Sequence, residues 1–461
     1  MKNEKNYAVD MTNGPLFAKI VRFALPLILS GVLQLMFNAV DMIVAGQCVG
    51  ESALAAIGST GAIINLLTNV FIGLSIGTNV VAAQNYGAGK TKELEKAVHT
   101  SIALSILSGI ILSVIGVIFS RQLLEWMGSP EDVIGQSTIY MQIYFAGITS
   151  NLVYNFGAAI LRAVGDTKRP LYYLIIAGVI NVILNLGFVL IFDMGVAGVA
   201  AATVLSQCIS AALVIMCIAK KGMPWKLQLR KITIHKAIAL RIIRIGLPAG
   251  LQGTLFSLSN VVVQSSINSF GTLVMAGNTA GMNIEGFVYI AMNAFHQTAL
   301  SFIGQNVGAN KYARVRKAMM ICVACVFTTG VVTGGVCLLN ARFLLGIYSS
   351  DPEVIAYGVQ RMTIILLTYY MFGTIDTFTG GIRGMGYSVT PMIVTLIGVC
   401  GLRIGWVFTV FQAHRSLPVL YMSYPVTWVI TLIAQIICFV LCYRNLVKKG
   451  KEAELQIQLG S

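Results

Sequence analysis

Apolar residues gather along this chain in twelve stretches, near residues 17–46, 53–83, 97–119, 139–161, 171–192, 195–218, 245–267, 273–303, 318–339, 358–382, 391–412 and 418–442. A helix of roughly 20 such residues, rising about 1.5 Å per residue, crosses the ~30 Å hydrocarbon layer of a bilayer. Short polar connectors separate the stretches. The pattern therefore predicts an all-α membrane protein with twelve transmembrane helices.

The connectors repeat. "AAQNYGAGK" carries Gln84 and Asn85, and "FIGQNVGANK" carries Gln305 and Asn306 at an offset of 221 residues. The same offset lays "LRAVGDTKRP" (Leu161 to Pro170) on "IRGMGYSVTP" (Ile382 to Pro391), and "RFALP" at Arg22 meets "RIGLP" at Arg244 one residue further on. The chain thus reads as two six-helix lobes, 1–219 and 245–461, joined by a basic linker at 220–244. An even number of spans returns each lobe to the side on which it began, so the lobes should be related by a pseudo-twofold along the membrane normal. In transporters such repeats rock about a midplane cavity.

The motif at Gln84 invites a nucleotide-binding reading, because Gly89-Lys90-Thr91 ends a phosphate-loop pattern. That loop needs a glycine five residues before Gly89, where this chain has Gln84. Gln84, Asn85, Gln305 and Asn306 are instead read as structural corners at the cytoplasmic ends of the second and eighth spans. Gly87 and Gly308 are expected to permit the turns, and the amides to bond carbonyls left free at the helix ends. A cytoplasmic gate latch is the alternative.

Composition agrees with a membrane location: 56% of the residues are hydrophobic and 11% charged, which excludes a soluble multidomain protein. Of the 32 basic residues, 27 fall on one side, among them Lys2, Lys5, Lys19 and Arg22, the linker and the tail; Arg121, Arg342 and Arg415 fall on the other. Cytoplasmic loops retain Lys and Arg, so both termini are expected in the cytoplasm, and the net charge of +15 reports topology. No soluble basic module remains to engage nucleic acid. Nine cysteines sit in or beside apolar stretches; Cys322 and Cys325 have metal-motif spacing without a second pair, and read as packing residues. The polar first fifteen residues predict no cleaved leader.

Three acids lie well inside the spans, Asp41, Glu285 and Asp376, and a carboxylate there is costly enough to be a candidate for function. Asn181 and Asn185 share a helix face; Asn185 and Thr203 reach a depth near that of Asp41, and Asn181 lies deeper. The four offer carboxylate, amide and hydroxyl oxygens suited to a hard cation such as Na⁺, or to an aspartate that exchanges a proton. Interhelical hydrogen bonding is the alternative. The repeat fails at these positions, which align with Val263, Leu402, Trp406 and Tyr424. Pro26 and Pro248 remove backbone hydrogen bonds in the first and seventh spans and are candidate hinges.

In the second half, Glu285 and Arg403 each lie near the midplane and are expected to pair. Asp376 occupies the slot of Asn155, two turns before Arg383. Asp376, Glu285, Asn155 and Arg403 are candidates for substrate binding or a second coupling site. "GLSIG" (Gly73 to Gly77) lacks the strand and base of a nucleophile elbow, so its glycines read as close-packing residues. Four scattered histidines and the lack of a Ser-His or Asp-Asp arrangement give no catalytic constellation.

"NAVDMIVAGQCVGESALAAIG" (Asn38 to Gly58), "AQNYGAGK", "LRAVGDTKRP", "GVAGVAAAT" (Gly195 to Thr203) and "GQNVGANK" together resemble the multidrug and toxic compound extrusion (MATE) family, and within it the bacterial DinF-like branch. The resemblance implies a secondary active efflux transporter of the cell membrane. It would export amphipathic or cationic organic compounds in antiport with Na⁺ or H⁺, by alternating access, as a monomer without a cofactor. It matches Asp41 to the family's coupling aspartate, with Asn181 and Thr203 as polar partners. Asn185 departs from the pattern, since many members carry a second aspartate there. Asp376 resembles the helix-10 acid of other branches in a shifted register. A flippase of lipid-linked precursors from the same superfamily is the alternative; it would line its cavity with basic residues, and only Arg361 and Arg403 lie well inside spans.

Overall fold

The computed structural model of the chain describes residues 8–220, 225, 227–228 and 232–459, the side chains of 453–459 excepted. Lys2, Lys5, Lys221, Lys226, Arg230 and Lys231, which contribute to the charge asymmetry, lie outside the described residues. Helices follow one another as α1 (Leu16–Val44), α2 (Glu51–Gly87), α3 (Thr91–Trp126), α4 (Glu131–Ala146), α5 (Ile148–Ala163), α6 (Lys168–Leu186) and α7 (Gly195–Ile218). After the linker come α8 (Lys236–Asn268), α9 (Thr272–Gly308), α10 (Tyr312–Leu339), a short α11 (Ala341–Gly346), α12 (Pro352–Leu366) and α13 (Tyr369–Gly384). The chain closes with α14 (Val389–Thr395), α15 (Leu402–Phe408), α16 (Val410–Ala413) and α17 (Leu417–Leu459).

Among the described residues there is no strand, and eight helical segments are long and apolar enough on their own to cross a bilayer. The fold is that of an all-α membrane protein built from twelve spans in two repeats of six. The fourth and tenth spans are each broken, at Gly147 between α4 and α5 and at Leu367-Thr368 between α12 and α13. Side chains such as Ile118, Leu190 and Val261 are more than half exposed, as lipid-facing positions are when no bilayer surrounds them.

The 221-residue offset persists in the element boundaries. α2 and α9 begin at 51 and 272, α3 and α10 at 91 and 312, α5 and α13 at 148 and 369. Local chemistry enforces the breaks. Gly50 and Gly271 hold φ of 128° and 100°, and Gly165 and Gly386 hold 101° and 96°, values that side-chain-bearing residues rarely adopt. The expected turns at Gly87 and Gly308 fall elsewhere, since both glycines are still helical. The reversals are made two residues later by Gly89 (φ 68°) and Asn310 (φ 56°). There the amides of Lys90 and Lys311 donate to the carbonyls of Asn85 and Asn306 at 3.0 and 2.8 Å, a helix-ending motif that needs a left-handed residue.

Contacts divide the chain into two compact units. One holds the segment ending at Val9 and Leu29–Thr254; the other holds Asp10–Ile28 and the chain from Leu255 onward. The leading halves of α1 and α8 thus belong with the opposite repeat from the one a cut at the linker would give them. In the first unit, α2 and α8 touch backbone to backbone: a Cβ on Gly73 would stand 2.3 Å from the amide nitrogen of Gly250, and one on Gly77 2.2 Å from the carbonyl oxygen of Ile242. The close-packing role read for these glycines is what the structure shows. In the second unit, Phe23 of α1 meets Phe302 of α9 edge to face at 5.7 Å. α8 begins at Lys236, nine residues before the expected 245, because Lys and Arg are good helix formers and carry the helix beyond the apolar stretch. Part of the linker packs: Trp225 is buried, and its indole N–H donates to the carbonyl of Ile218 at 3.0 Å, capping the end of α7.

Candidate functional site

Asp41 sits in the last turn but one of α1, Asn181 and Asn185 one turn apart on α6, and Thr203 in the third turn of α7. The helix period alone aims the two asparagines the same way. Packing of α6 on α7 then closes the group. Asn185 donates from Nδ2 to Asp41 Oδ1 at 2.5 Å and to Asn181 Oδ1 at 3.3 Å. Thr203 Oγ1 donates to Asp41 Oδ2 at 3.2 Å and also lies 3.0 Å from the carbonyl of Val199, so one hydroxyl proton is shared between two acceptors. Asp41 is 9% exposed and Asn185 not at all. Asn185 Oδ1 is buried and has no hydrogen-bond partner.

This group borders a cavity of about 90 Å³ within the first unit, whose walls include Asp41, Asn181 and Thr203 together with Asn38 and Asn151. That is well above the ~10–15 Å³ such a space needs to hold one water, so it has room for water or a partly hydrated ion. Asn155 stands one turn behind the cavity, donating to the carbonyl and side-chain oxygen of Asn151 at 2.9 and 3.0 Å. The donor set is all oxygen and holds a single carboxylate, with no group of three or more His, Cys, Asp or Glu among the described residues. Such a set suits a hard monovalent ion or a proton better than a transition metal.

The equivalent places in the second unit are filled differently. Val263, aligned with Asp41, is buried in an apolar cluster with Val407, Phe411 and Tyr421. Trp406, aligned with Asn185, donates its indole N–H to the carbonyl of Val419 at 2.9 Å. Duplication supplied the scaffold twice and the polar group once.

Glu285 does not pair with Arg403. Its carboxylate takes a two-pronged contact from Arg361 of α12, Nε to Oε1 at 3.0 Å and Nη2 to Oε2 at 2.7 Å, while Arg361 Nη1 donates to Asn278 Oδ1 at 2.7 Å. The apolar stretch put Arg361 near a membrane face, but α12 begins six residues before that stretch, at Pro352, packs along α9 and presents Arg361 to Glu285. Arg403 lies instead over the ring of Tyr424, its guanidinium carbon 4.0 Å from the centroid.

Asp376 faces His296, with Nδ1 3.0 Å from Oδ1 and 2.8 Å from the backbone carbonyl of Asp376, and Asn293 donates to Oδ2 at 3.0 Å. Sequence reasoning set His296 aside as isolated and passed over Asn293. The available signal was spacing: Tyr289, Asn293 and His296 lie at i, i+4 and i+7 on one face of α9.

Two of the four corner amides, Gln84 and Asn306, make contacts beyond their own helix ends. Gln84 Oε1 accepts from Arg241 of α8. Asn306 donates to the carbonyl of Phe302 at 2.7 Å, one turn back in its own helix, and to that of Met11 in the segment before α1 at 3.1 Å. Asn85 and Gln305 are buried in the last turns of α2 and α9. Pro26 and Pro248 lie inside unbroken α1 and α8.

A duplicated all-helical membrane fold with polar groups inside both repeats has the build of a membrane transporter. The chain belongs to the MatE family of multidrug efflux transporters, whose sequence profile matches residues 26–186 and again 248–409. It is 27% identical over 445 residues to "Probable multidrug resistance protein YoeA" of Bacillus subtilis (strain 168), covering 95% of each chain. Over 420 residues it is 24% identical to "Probable multidrug resistance protein NorM" of Thermotoga maritima, covering 88% of each. Its backbone matches a solved "outward-facing conformation of a multidrug resistance MATE family transporter of the MOP superfamily" with a TM-score of 0.89 at 19% identity, over 96% of this chain and 99% of that one. At that identity the likeness establishes a common fold.

Proposed function

We propose that this protein is a secondary active exporter of the cell membrane, with both termini cytoplasmic, that moves amphipathic organic compounds outward in exchange for Na⁺ or H⁺. The observation that carries the reading is the Asp41 group: one buried carboxylate, held by Asn185 and Thr203, beside a small cavity and an amide oxygen without a partner. An inward-moving cation neutralises Asp41 and draws Asn181, Asn185 and Thr203 toward itself; its departure restores the hydrogen bonds to the bare carboxylate. The two states differ in charge and packing at the junction of α1, α6 and α7, and alternating access follows if α1 bends differently in each, with Pro26 as its weak point. The ion is cargo of the cycle and no cofactor is needed. Asp376 with His296 is assigned to substrate binding or a second coupling step in the second unit.

Proteoliposomes test the reading. Efflux of a cationic dye should follow an imposed Na⁺ or pH gradient in the wild type and ignore that gradient in Asp41→Asn. Gradient-driven efflux of unchanged rate in the variant would remove Asp41 from the mechanism.

A further inference from the structure

The leading half of α1 and the middle of α10 enclose a groove of about 370 Å³ in the second unit, with Phe17, Val21, Leu25 and Ile28 on one side and Ala324 and Thr328 on the other. Ala24, Phe295 of α9 and Cys325 are buried and make its floor. Phe17 and Leu25 are more than half exposed, so the groove opens outward from the packed helices, toward the bilayer.

Water does not suit this space. Thr328 spends its hydroxyl on the carbonyl of Ala324 at 2.9 Å, one turn back in its own helix, which leaves Thr329 as the one other hydroxyl of the wall. A buried water needs two to four polar partners. Left empty, the walls forfeit their dispersion contacts. Hydrocarbon is the filling that the surroundings supply.

The dimensions say which hydrocarbon. From Phe17 to Ile28 the wall runs about 16 Å at 1.5 Å per residue, close to the ~15 Å that one leaflet contributes to a ~30 Å core. Phe17 is the second residue of α1, so the groove starts at the membrane surface and ends near the midplane, the course of one acyl chain in a single leaflet.

The mouth carries charge. Arg22 stands one turn before Leu25 and Lys317 two turns before Ala324, so the helix period sets each on the same side of its helix as the groove. Helical side chains lean back toward the N-terminus, here toward the surface at which α1 and α10 begin. Their neighbours Lys19 and Arg314 are spent on the carbonyls of Asp10 and Met11 at 2.7 and 3.0 Å. Arg22 and Lys317 are exposed and make no ion pair among the described residues.

We infer that this groove is a binding site for one acyl chain of an anionic phospholipid, whose headgroup phosphate is held at the mouth by Arg22 and Lys317. On the orientation proposed above the lipid belongs to the cytoplasmic leaflet; the site itself needs no transport step. Pro26, where α1 lacks a backbone hydrogen bond, sits between Leu25 and Ile28, so a chain in the groove braces α1 across its weak point.

Native mass spectrometry of the full chain in detergent, delipidated and then titrated with lipid, tests it. Dioleoyl phosphatidylglycerol should occupy one site at least tenfold more tightly than dioleoyl phosphatidylcholine, which has the same chains and no net charge. Ala324→Trp and Thr328→Trp fill the groove from exposed positions, and each should weaken that site by tenfold or more. Ile118→Trp, at an exposed position of α3, is the control and should bind like the wild type. Arg22→Gln combined with Lys317→Gln should lose most of the preference for phosphatidylglycerol, since each cation beside an anionic headgroup is worth roughly fivefold. Equal affinity of the wild type for the two lipids overturns the inference and needs no variant to fold; so does undiminished binding in both tryptophan variants. Glycerophosphoglycerol, the headgroup without its chains, should not displace the lipid at equal concentration. Displacement by it would mean a surface phosphate site, displacement by rhodamine 6G would mean a substrate path, and either result overturns the acyl-chain assignment. No gradient enters the assay, so Asp41→Asn should bind lipid like the wild type, and failure of coupling is read separately.

Discussion

Asn185 spends both of its amide protons on its neighbours, one on Asp41 Oδ1 at 2.5 Å and one on Asn181 Oδ1 at 3.3 Å, and leaves its own oxygen unpartnered. That orientation suits a charged Asp41, which can only accept. When a cation or proton occupies the carboxylate, the same amide serves better with its oxygen turned inward. Asn185 is thus placed to respond to the state of Asp41, and its replacement by Leu, similar in volume and without polar atoms, should weaken cation binding by about 10- to 100-fold, as loss of an oriented polar neighbour does at other ion sites. The measurement is the unfolding midpoint of the purified protein, titrated with Na⁺ against choline and separately with pH. The wild type should rise in one titration, Asn185→Leu should need a higher concentration of the same ion, and Asp41→Asn should not respond. An Asn185→Leu curve superimposed on the wild type would assign Asn185 to packing alone.

The Glu285 and Arg361 pair is buried and three-way bonded through Asn278. Glu285→Gln leaves the guanidinium without a counter-charge beside the already unpaired Arg403, and should lower stability by about 3–5 kcal/mol. Replacing both partners by Leu removes the stranded charge, so the double variant should be more stable than Glu285→Leu or Arg361→Leu alone. Midpoints of thermal unfolding in detergent for the four proteins decide it. If the two single losses simply add in the double variant, the pair is not coupled as drawn.

Most of the fold was legible because lipid imposes a single requirement, long apolar helices, and because duplication wrote the boundaries twice. The Asp41 group was legible for the same reason: a carboxylate and two asparagines are conspicuous in apolar spans, and the depths of Asp41, Asn185 and Thr203 agreed to within about a helical turn, with Asn181 deeper. Partner choice was not. Depth along the membrane matched Glu285 to Arg403, because Arg361 stands only three residues into its apolar stretch; α12 begins at Pro352, six residues before that stretch, and its packing along α9 brings Arg361 to Glu285. The breaks at Gly147 and Thr368 were also hidden, since the hydrophobic run continues through them. His296 escaped because its partner, Asp376, is 80 residues away in sequence.

Gly73 and Gly77 make a prediction about packing rather than chemistry. An alanine methyl at either would stand 2.3 or 2.2 Å from backbone atoms of α8, which cannot rotate away as a side chain can. Gly73→Ala and Gly77→Ala should each cost about 1–3 kcal/mol, the usual range for overpacking. Gly58, in the same helix with nothing near its Cβ position, is the control, and Gly58→Ala should gain about 0.5–1 kcal/mol by stiffening the helix. Unfolding midpoints of all three order the effects. Equal behaviour of Gly58→Ala and Gly77→Ala would mean that α2 and α8 do not approach this closely.

Asp10 supplies a prediction about pH. Its carboxylate ends the segment before α1, accepting from the amide and hydroxyl of Thr12 at 2.9 and 3.0 Å and from the Asn13 side chain at 3.2 Å. Partial burial pushes its pKa up, but the Thr12 and Asn13 hydrogen bonds and the nearby Lys19 outweigh that and hold it down at about 2. A carboxylate depressed in the folded state stabilises the fold at pH values above its unfolded pKa of about 4, and that contribution is lost as pH falls through about 2. Between pH 5 and 8 its charge is constant, so Asp10→Asn should leave the shape of the pH profile of transport unchanged across that window. Asp41→Asn should flatten it if the coupling ion is a proton. A profile measured in proteoliposomes that shifts in Asp10→Asn would show that the segment before α1 is tied to the transport cycle by a charge this hydrogen-bonding pattern does not account for.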